Sequence, residues 1–419
     1  MAREMKDSGI EWIGEIPRTW KITKCKYISD FINGYAFDSK DLDVDFIYPA
    51  IRIGDIVNSE IDFVNCQGVK NNKGLDNYKI VENDILLAMS GATVGKVGIA
   101  INPPCAYINQ RVGIIRSQYY KFLFYCLSTD KFVEHILLEA NGSAQPNVSG
   151  TVYGNFNIPF PNTEERNKIT NILDSECARI DEVISKTKST IEEYKKLKQS
   201  VITEAVTKGI RPNREMKDSG IEWIGDIPKE WEIEKGKHIL SRLERPVKED
   251  DGVITCFRDG EVTLRSNRRE EGFTFSIQET GYQGIEPNDL VVHGMDGFAG
   301  AIGISDSRGK ATPVLNVLDS SENKKYIMYY LRSMAYNGVF LALATGIRVR
   351  TCDTNWNKLK ELPYPLPSKE EQAEIAEYIN DKINHIDDMI AKKTLFLTEL
   401  ESYKKSLIYE YVTGKKEVN

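Results

Sequence analysis

Residues 5–17 read MKDSGIEWIGEIP, and residues 216–228 read MKDSGIEWIGDIP. Twelve of these thirteen positions are identical at an offset of 211, and Trp20 recurs as Trp231. Repetition on this scale is the mark of a duplicated structural unit. We call 5–17 and 216–228 the repeated segments, and we expect each to open one of two similar halves of the chain.

The two halves continue to correspond beyond the repeated segments. The run Asn83–Leu87 (NDILL) matches 288–292 (NDLVV), and each run predicts a turn that leads into a buried strand. The aromatic stretches 119–127 and 326–331 predict short amphipathic helices. Further matched positions are Gly95 and Gly98 with Gly300 and Gly303, Arg52 with Arg258, and Pro159 and Pro161 with Pro363 and Pro365.

Each half ends in a long stretch with a heptad pattern and no Gly or Pro. Apolar residues spaced 4-3-4-3 predict two helices of about 44 residues that supercoil with a partner. Because the two helices match, we expect them to pair antiparallel within the chain, and Lys198 and Lys404 break the seam at the same heptad site. These lysines either set the register or extend past the seam toward solvent. The predicted packing residues are Leu173, Ile180, Ile184, Ile191, Ile379, Ile386, Ile390 and Leu397.

These patterns predict an α+β (α/β-like) protein with pseudo-twofold symmetry. It has two similar globular domains and two long antiparallel coiled-coil helices. The predicted boundaries are 1–158 and 212–362 for the globular domains, each with its repeated segment, and 159–211 and 363–419 for the long helices. A paired target, such as duplex DNA with two half-sites, suits this arrangement.

The composition excludes several classes of protein. Apolar residues make up 41% and charged residues 28%, as in globular proteins, and the net charge of −7 argues against a uniformly basic DNA-coating protein. No apolar run is long enough for a transmembrane helix or a signal peptide. The seven cysteines form no CxxC pair, so we expect neither a disulfide scaffold nor a zinc site, and a reducing cytoplasm fits.

No motif predicts catalysis or metal binding. Residues 102–105 (NPPC) lack the aromatic residue that an amino-methyltransferase stacks on its base. Residues 91–97 (GATVGKV) are one residue short of a phosphate-binding loop and have Val where Ser or Thr would bind magnesium. The four histidines show no metal-ligand spacing.

The halves differ most in the polar residues of two loops, 90–96 and 143–147 in the first and 293–298 and 346–350 in the second. Asn and Gln amides can bond an adenine edge in a two-pronged manner, and Arg does so with guanine. Two domains that share a scaffold but carry different polar loops are typical of proteins that recognise two different short DNA sequences. Loops also diverge after a duplication without any selection. The candidate DNA-binding residues are Arg52, Ser90, Thr93, Lys96, Gln145, Asn147, Arg258, His293, Asp296, Arg348 and Arg350. Arg265, Arg268 and Arg269 are either phosphate contacts or solvated surface charges.

Taken together, these features resemble the DNA-specificity subunit of type I restriction–modification systems. The resemblance rests on the repeated SGIEWIGxIPxxW, the NDILL strand with its Gly-x-x-Gly turn, the GSAQPN loop at 142–147, and the Pro-x-Pro plus Glu-Glu-Arg/Gln helix start. The second half departs from the family's Gln-Pro-Asn loop, having Arg348-Val349-Arg350 instead.

The resemblance implies two target-recognition domains that each read half of a bipartite DNA site, and a helix pair that sets their spacing and docks modification subunits. It implies no catalysis and no cofactor in this chain. The modification subunits would bring S-adenosylmethionine, and the restriction subunits ATP and Mg²⁺. Alternatives are a coiled-coil scaffold with two protein-binding heads, a fused methyltransferase, or a specificity subunit without partners.

Overall fold

The computed structural model of the chain describes residues 3–70, 73–139, 148–268, 280–343 and 354–418. These residues form two compact units. Unit 1 comprises Met1–Thr187 with Leu395–Asn419, and unit 2 comprises Lys188–Thr394. The observed content of helix and strand confirms the predicted α+β class.

The part of unit 1 before the first long helix consists of short strands and three short helices. The strands are β1 (Met5–Asp7), β2 (Glu15–Pro17), β3 (Lys21–Lys24), β4 (Asp30–Asn33), β5 (Leu42–Asp43), β6 (Tyr48–Ile51), β7 (Ile56–Val57), β8 (Glu60–Ile61), β9 (Gly68–Val69), β10 (Ile85–Ala88), β11 (Val97–Ile99), β12 (Tyr107–Ile108), β13 (Val112–Arg116) and β14 (Asn157–Phe160). The helices are α1 (Tyr120–Leu127), α2 (Asp130–Glu139), α3 (Gly150–Asn155) and the long α4 (Thr163–Lys208).

Unit 2 follows a similar order of elements, with fewer short strands among its described residues. Its strands are β15 (Met216–Asp218), β16 (Asp226–Pro228), β17 (Glu232–Lys235), β18 (Leu240–Arg242), β19 (Ile254–Cys256), β20 (Val262–Leu264), β21 (Gln283–Ile285), β22 (Leu290–His293), β23 (Ile302–Ile304), β24 (Gly309–Ala311), β25 (Leu315–Ser320) and β26 (Pro363–Leu366). Its helices are α5 (Gly236–Ile239), α6 (Lys324–Tyr336), α7 (Val339–Ala342), α8 (Trp356–Leu359) and the long α9 (Lys369–Val412).

The central sheets of the two units have the same strand order. In unit 1 the order is β4-β13-β10-β11, extended by β8 and β7, and in unit 2 it is β18-β25-β22-β23. The predicted buried strands are the inner β10 and β22, which pair antiparallel on both sides. The predicted aromatic helices are α1 and α6, and both contribute to the hydrophobic core of their unit. The duplication therefore preserved the hydrogen-bonded frame as well as sequence.

A strand precedes each long helix. β14 pairs with β3, and β26 pairs with β17. The predicted helical segments 159–211 and 363–419 therefore begin in a strand, and the helices start at Thr163 and Lys369. Proline lacks the N–H that a helix interior needs, which explains why the Pro-x-Pro residues lie before the first turn.

Each repeated segment forms a small hairpin whose tryptophan is buried beside a long helix. In unit 1, β1 pairs with β2, and Trp20 is 1% exposed. Its indole Nε1 donates to Glu165 Oε2 at 2.8 Å, in the first turn of α4. Arg3 pairs with the same carboxylate and lies over the indole ring. A Cβ built on Gly414, which follows α9, would lie 3.1 Å from Trp20, so the residue after α9 is close to the same ring.

Unit 2 repeats this arrangement with the helices exchanged. Trp231 donates to Glu371 Oε2 at 3.3 Å in the first turn of α9, and Arg214 pairs with Glu371. A Cβ on Gly209, which follows α4, would lie 3.2 Å from Trp231. In both units the tryptophan therefore lies between the start of one long helix and the end of the other.

The two long helices pack against each other in each unit. In unit 1 the first part of α4 and the last part of α9 share one core, which includes Leu173, Cys177, Ile180, Leu407, Ile408, Tyr411 and Val412. In unit 2 the last part of α4 and the first part of α9 share another, which includes Ile202, Ala205, Val206, Ile375, Ile379 and Ile383. The pairing of starts with ends confirms the antiparallel coiled coil.

The predicted packing residues have different degrees of burial. Five are buried, namely Leu173, Ile180, Ile191, Ile379 and Ile386. The other three are half-buried, namely Ile184, Ile390 and Leu397. At the polar seam site, Lys198 Nζ lies 2.7 Å from Asp387 Oδ2, and Lys404 Nζ lies 2.6 Å from Asp181 Oδ2. Each lysine thus pairs with an aspartate of the opposite helix, which favours a role in register over simple extension toward solvent.

Candidate nucleic-acid interface

A buried Asn-Asp turn supports the first candidate loop in each unit. Asn83 and Asn288 have φ of 68° and 71°, a left-handed conformation that asparagine tolerates better than most residues. In unit 1 the Asp84 carboxylate accepts the backbone N–H of Val81 at 2.8 Å and is held by both prongs of Arg116, each at 2.8 Å. The turn thereby fixes the start of β10.

The second unit makes the same turn with a different arginine. Asp289 accepts the backbone N–H of Glu286 at 2.8 Å and pairs with Arg245. Arg116 ends β13, whereas Arg245 follows β18, so the two partners come from different strands. The sequence comparison identified the aspartates but missed these arginines, because the two do not align.

The first candidate loop of unit 1 joins β10 to β11. Its ends are tied by Gly95 N–H donating to the Ala88 carbonyl at 2.9 Å. Gly95 has φ of 84°, and a Cβ there would lie 2.9 Å from Val133, so glycine is required at this position. The Ser90 and Thr93 hydroxyl oxygens are buried and have no hydrogen-bond partner among the described residues. Lys96, at the end of the loop, is half-buried.

Arg52 lies close to this loop. The turn that follows it contains Ile53, whose Cδ1 would be 3.5 Å from a Cβ on Gly91. The Arg52 side chain donates to Gln67 Oε1 at 2.9 Å and lies 3.6 Å from the Asp55 carboxylate. Burial raises the pKa of Asp55, and its bonds to Arg52 oppose that rise. Arg52 is therefore positioned by neighbours, and its side chain remains 42% exposed.

The second candidate loop of unit 1 contains Gln145 and Asn147, which lie outside the described residues. The first described residue after it is Val148, which is fully buried. Its backbone N–H donates to the Met89 carbonyl at 2.7 Å, directly before Ser90. Val148, which follows 143–147 in sequence, is therefore tied to the residue that precedes the 90–96 loop.

His293 organises the equivalent loop of unit 2. Its Nδ1 accepts the backbone N–H groups of Met295 at 3.2 Å and Asp296 at 3.0 Å. An Nδ1 that accepts carries no proton, so the neutral ring is protonated on Nε2. Burial is the main cause that lowers the pKa of His293, Asp296 opposes this, and Arg258 adds to it. The neutral ring is thus favoured.

Two other candidates of unit 2 bind each other. Arg258 Nη2 donates to Asp296 Oδ1 at 2.9 Å, and the Arg258 side chain is 66% exposed. An exposed pair of this kind is worth at most about 1 kcal/mol, so a stronger anionic partner can displace the aspartate.

The second loop of unit 2 is also tied to the first. Arg348 and Arg350 lie outside the described residues. Thr354, the next described residue, donates its backbone N–H to the Gly294 carbonyl at 2.9 Å and its hydroxyl to the His293 carbonyl at 2.7 Å. Asn316 of β25 donates to the Thr354 carbonyl at 3.0 Å. Sequence patterns missed Val148, Thr354 and Asn316, because their hydrogen bonds go to backbone carbonyls far along the chain, and such acceptors leave no side-chain signature.

The arginine group near residue 265 is partly neutralised. Arg268 pairs with Asp259 at 2.8 Å and Glu261 at 2.9 Å, and it lies over the Phe257 ring. Arg265 Nε donates to Thr255 Oγ1 at 3.3 Å. Arg269 lies outside the described residues.

In the described part of the chain, no group of three or more His, Cys, Asp or Glu side chains is placed to hold a metal ion. None of the described helices combines the length and apolar character that crossing a bilayer requires.

Comparison with known proteins gives consistent results. Residues 17–193 match the family described as the type I restriction modification DNA specificity domain. The chain is 26% identical to the MjaX specificity subunit of Methanocaldococcus jannaschii, over 96% of this chain and 95% of the relative. It is 20% identical to the type I restriction enzyme StySPI specificity subunit of Salmonella potsdam, over 96% of this chain and 90% of that one. The chain resembles type I specificity subunits over nearly its whole length.

This type I specificity-subunit resemblance extends to the fold. A solved structure that concerns complex assembly and conformational transition of the type I R-M system aligns with a TM-score of 0.68 at 14% identity, covering 96% of this chain and 99% of the solved one. The resemblance predicted from the sequence is thus confirmed. The matched family and the relatives are described as type I restriction–modification specificity domains or subunits, and this chain is similar to them.

Proposed function

We propose that this chain recognises a bipartite DNA site, with unit 1 reading one half-site and unit 2 the other. The observation that supports the proposal is that the two units share the same backbone features. Both units have the same sheet order, the same Asn-Asp turn and the same anchor between two loops. The side chains on that shared backbone differ in chemistry. To recognise two different half-sites, two domains with the same scaffold need loops that carry different polar side chains.

The proposed contacts are the candidate residues of the two loop pairs. In unit 1 the hydroxyls of Ser90 and Thr93 have no partner among the described residues, and DNA would supply one, because buried polar groups normally have partners. In unit 2 the Nε2–H of His293 is a donor for a base or phosphate. The remaining proposed contacts are Arg52, Lys96, Gln145 and Asn147 in unit 1, and Arg258, Asp296, Arg348 and Arg350 in unit 2.

The long helices are proposed to set the spacing of the half-sites and to dock the modification subunits. Large apolar side chains are exposed on them, which supports a protein partner. They are Val183, Leu197, Leu395, Phe396 and Tyr403. In this proposal the chain itself performs no catalysis. Modification subunits bind S-adenosylmethionine, and restriction subunits bind ATP and Mg²⁺.

The test is to measure DNA binding by this chain assembled with its modification subunits. We expect sequence-specific binding whose affinity falls steeply with salt, because phosphate contacts release counterions. Exchanging residues 1–158 with 212–362 should exchange the two half-sites in a methylation footprint. A scaffold that binds only proteins would show no salt-dependent DNA binding, and that result would refute the proposal.

A further inference from the structure

A cavity of about 310 Å³ lies in unit 1 between the start of α4 and the start of α1. Tyr119, Tyr120 and Phe122 line it on one side, and Arg166 with Thr170 on the other. The cavity is separate from the loops proposed to read DNA, and nothing in the proposed function uses it.

The guanidinium of Arg166 is buried in this cavity wall and has no counter-ion among the described residues. The residue is 6% exposed, and its charged group lies 4.3 Å from the Tyr119 ring centre and 4.7 Å from that of Phe160. Two of its five N–H groups donate, at 3.1 Å to the Pro161 carbonyl and at 3.2 Å to Thr163 Oγ1. No carboxylate of the described residues pairs with it, and burial lowers its pKa.

A buried charge of this kind is unusual. Proteins normally pair buried charges, because removing an ion from water is costly. The other cation at the cavity, Lys121, is already neutralised by Asp174 at 2.6 Å. The cavity therefore offers one uncompensated positive charge, held in place by two aromatic rings, and three N–H donors without a described partner.

In unit 2, the residue that corresponds to Arg166 has a carboxylate beside it. Gln372 matches Arg166, since its Nε2 donates to the carbonyl of Pro367, five residues earlier, at 3.0 Å, as Arg166 does to Pro161. Gln372 also donates at 2.7 Å to the carboxylate of Glu322. The residue of unit 1 that aligns with Glu322 is Gln118, which lines the cavity. The carboxylate present in unit 2 thus has no equivalent in unit 1.

We propose that the cavity of unit 1 binds an external carboxylate, with Arg166 as the residue that holds it. A planar guanidinium matches a carboxylate in a two-pronged manner. A single free positive charge balances one carboxylate, whereas a phosphate dianion would need more. The carboxylate comes from an acidic side chain of a protein partner or from a small free acid. This inference does not depend on DNA recognition.

The experiment measures the melting temperature of the purified full chain with two probes, acetate and N-acetyl-glutamate α-amide, against sodium chloride at equal ionic strength. A ligand that binds only the folded state stabilises it, so we expect a saturating rise in Tm of about 2 °C or more. Arg166→Gln should abolish the rise, and unit 2 already tolerates glutamine at this position. Gln118→Glu should raise Tm without probe and remove the response, because it supplies the carboxylate internally.

The control is Arg179→Gln, which changes an exposed arginine of α4 paired with Glu176 and should respond as the unmodified chain does. Equal responses to the two probes would identify small acids as ligands, and a response to the capped glutamate alone would identify an acidic side chain. A rise that persists in Arg166→Gln or no rise beyond that with chloride would overturn the proposal. Because phosphate also stabilises proteins without binding a site, only a larger phosphate response that Arg166→Gln abolishes would overturn it as well.

Discussion

At the scale of single residues, each repeated tryptophan donates to a glutamate in the first turn of a long helix, and the glutamate of unit 2 is buried. Glu371 has a side chain that is 5% exposed, and it accepts from both Trp231 and Arg214. Glu371→Gln should destabilise the protein by about 2–4 kcal/mol, because the buried carboxylate is lost and Arg214 keeps only the exposed Glu230 among the described carboxylates. Urea unfolding measures the loss. Glu377→Gln, an exposed position on the same helix, should change stability by less than about 0.5 kcal/mol. Equal losses of stability from Glu371→Gln and Glu377→Gln would contradict the stabilising role of Glu371.

His293 should make stability depend on pH. Its pKa is lowered in the folded chain, mainly by burial, so the unfolded chain takes up the proton first. The contribution of His293 to the free energy of unfolding is fully present above about pH 6.5, the pKa of histidine in the unfolded chain. It is lost as the pH falls through the lower pKa that His293 has in the folded chain. Protonation would also remove the acceptor for the backbone of Met295 and Asp296.

The measurement is the free energy of unfolding between pH 7.5 and 5. His293→Asn keeps an acceptor without a titrating group and should flatten the curve. His238→Asn, at an exposed histidine bonded to Glu234, is the matched control. An unchanged slope in His293→Asn would show that the ring does not titrate as proposed.

Gln145 is one of the residues that we propose to contact a base edge. Gln145→Ala should weaken binding to the unit 1 half-site by about 1–3 kcal/mol, because a two-pronged base contact is lost, and should leave non-specific binding unchanged. Competition with DNA altered in either half-site measures this. Gln199→Ala, an exposed glutamine of α4, is the control. Unchanged target choice after substituting all of 143–147 would show that this loop does not read DNA.

At the scale of elements, the lysine–aspartate pairs fix how α4 and α9 align. The heptad pattern identified Lys198 and Lys404 as exceptions but left their role open. Both now pair with aspartates at matched positions of the opposite helix. Because apolar seams tolerate shifts by whole heptads, a charged pair at one site distinguishes the correct register.

Exchanging the charges tests this role. Lys198→Asp should destabilise the protein, and adding Asp387→Lys should recover about 0.5–1 kcal/mol, since both side chains are partly exposed. A double-mutant cycle gives the coupling energy. The pair Lys186–Glu182, within one helix, provides the comparison and should couple less strongly. No coupling between 198 and 387 would remove the register argument.

At the scale of the whole molecule, the two long helices are the part that should control half-site spacing. Inserting one heptad into both helices at matched positions preserves the apolar seam and adds about 10 Å to each. The tolerated spacer should then lengthen by about three base pairs, at about 3.4 Å per pair. Methylation of a library of spacer lengths measures the shift.

Insertion of two residues in both helices is the control. It rotates the following apolar residues by about 200°, away from the seam, and should reduce stability instead of giving a new spacer preference. If the heptad insertion leaves the preferred spacer unchanged, the helices do not set the spacing.

Local patterns were enough to predict the duplication, the inner strands β10 and β22, the aromatic helices and the antiparallel helix pair. Turn residues, apolar periodicity and heptads are signals between neighbours in sequence, and they survive in a single chain. The contacts that build the candidate interface do not leave such signals. Arg116 and Arg245 reach equivalent aspartates from different strands, and Thr354 anchors one loop to another through backbone groups. Those pairings join residues far apart in the chain, so only folding brings them together.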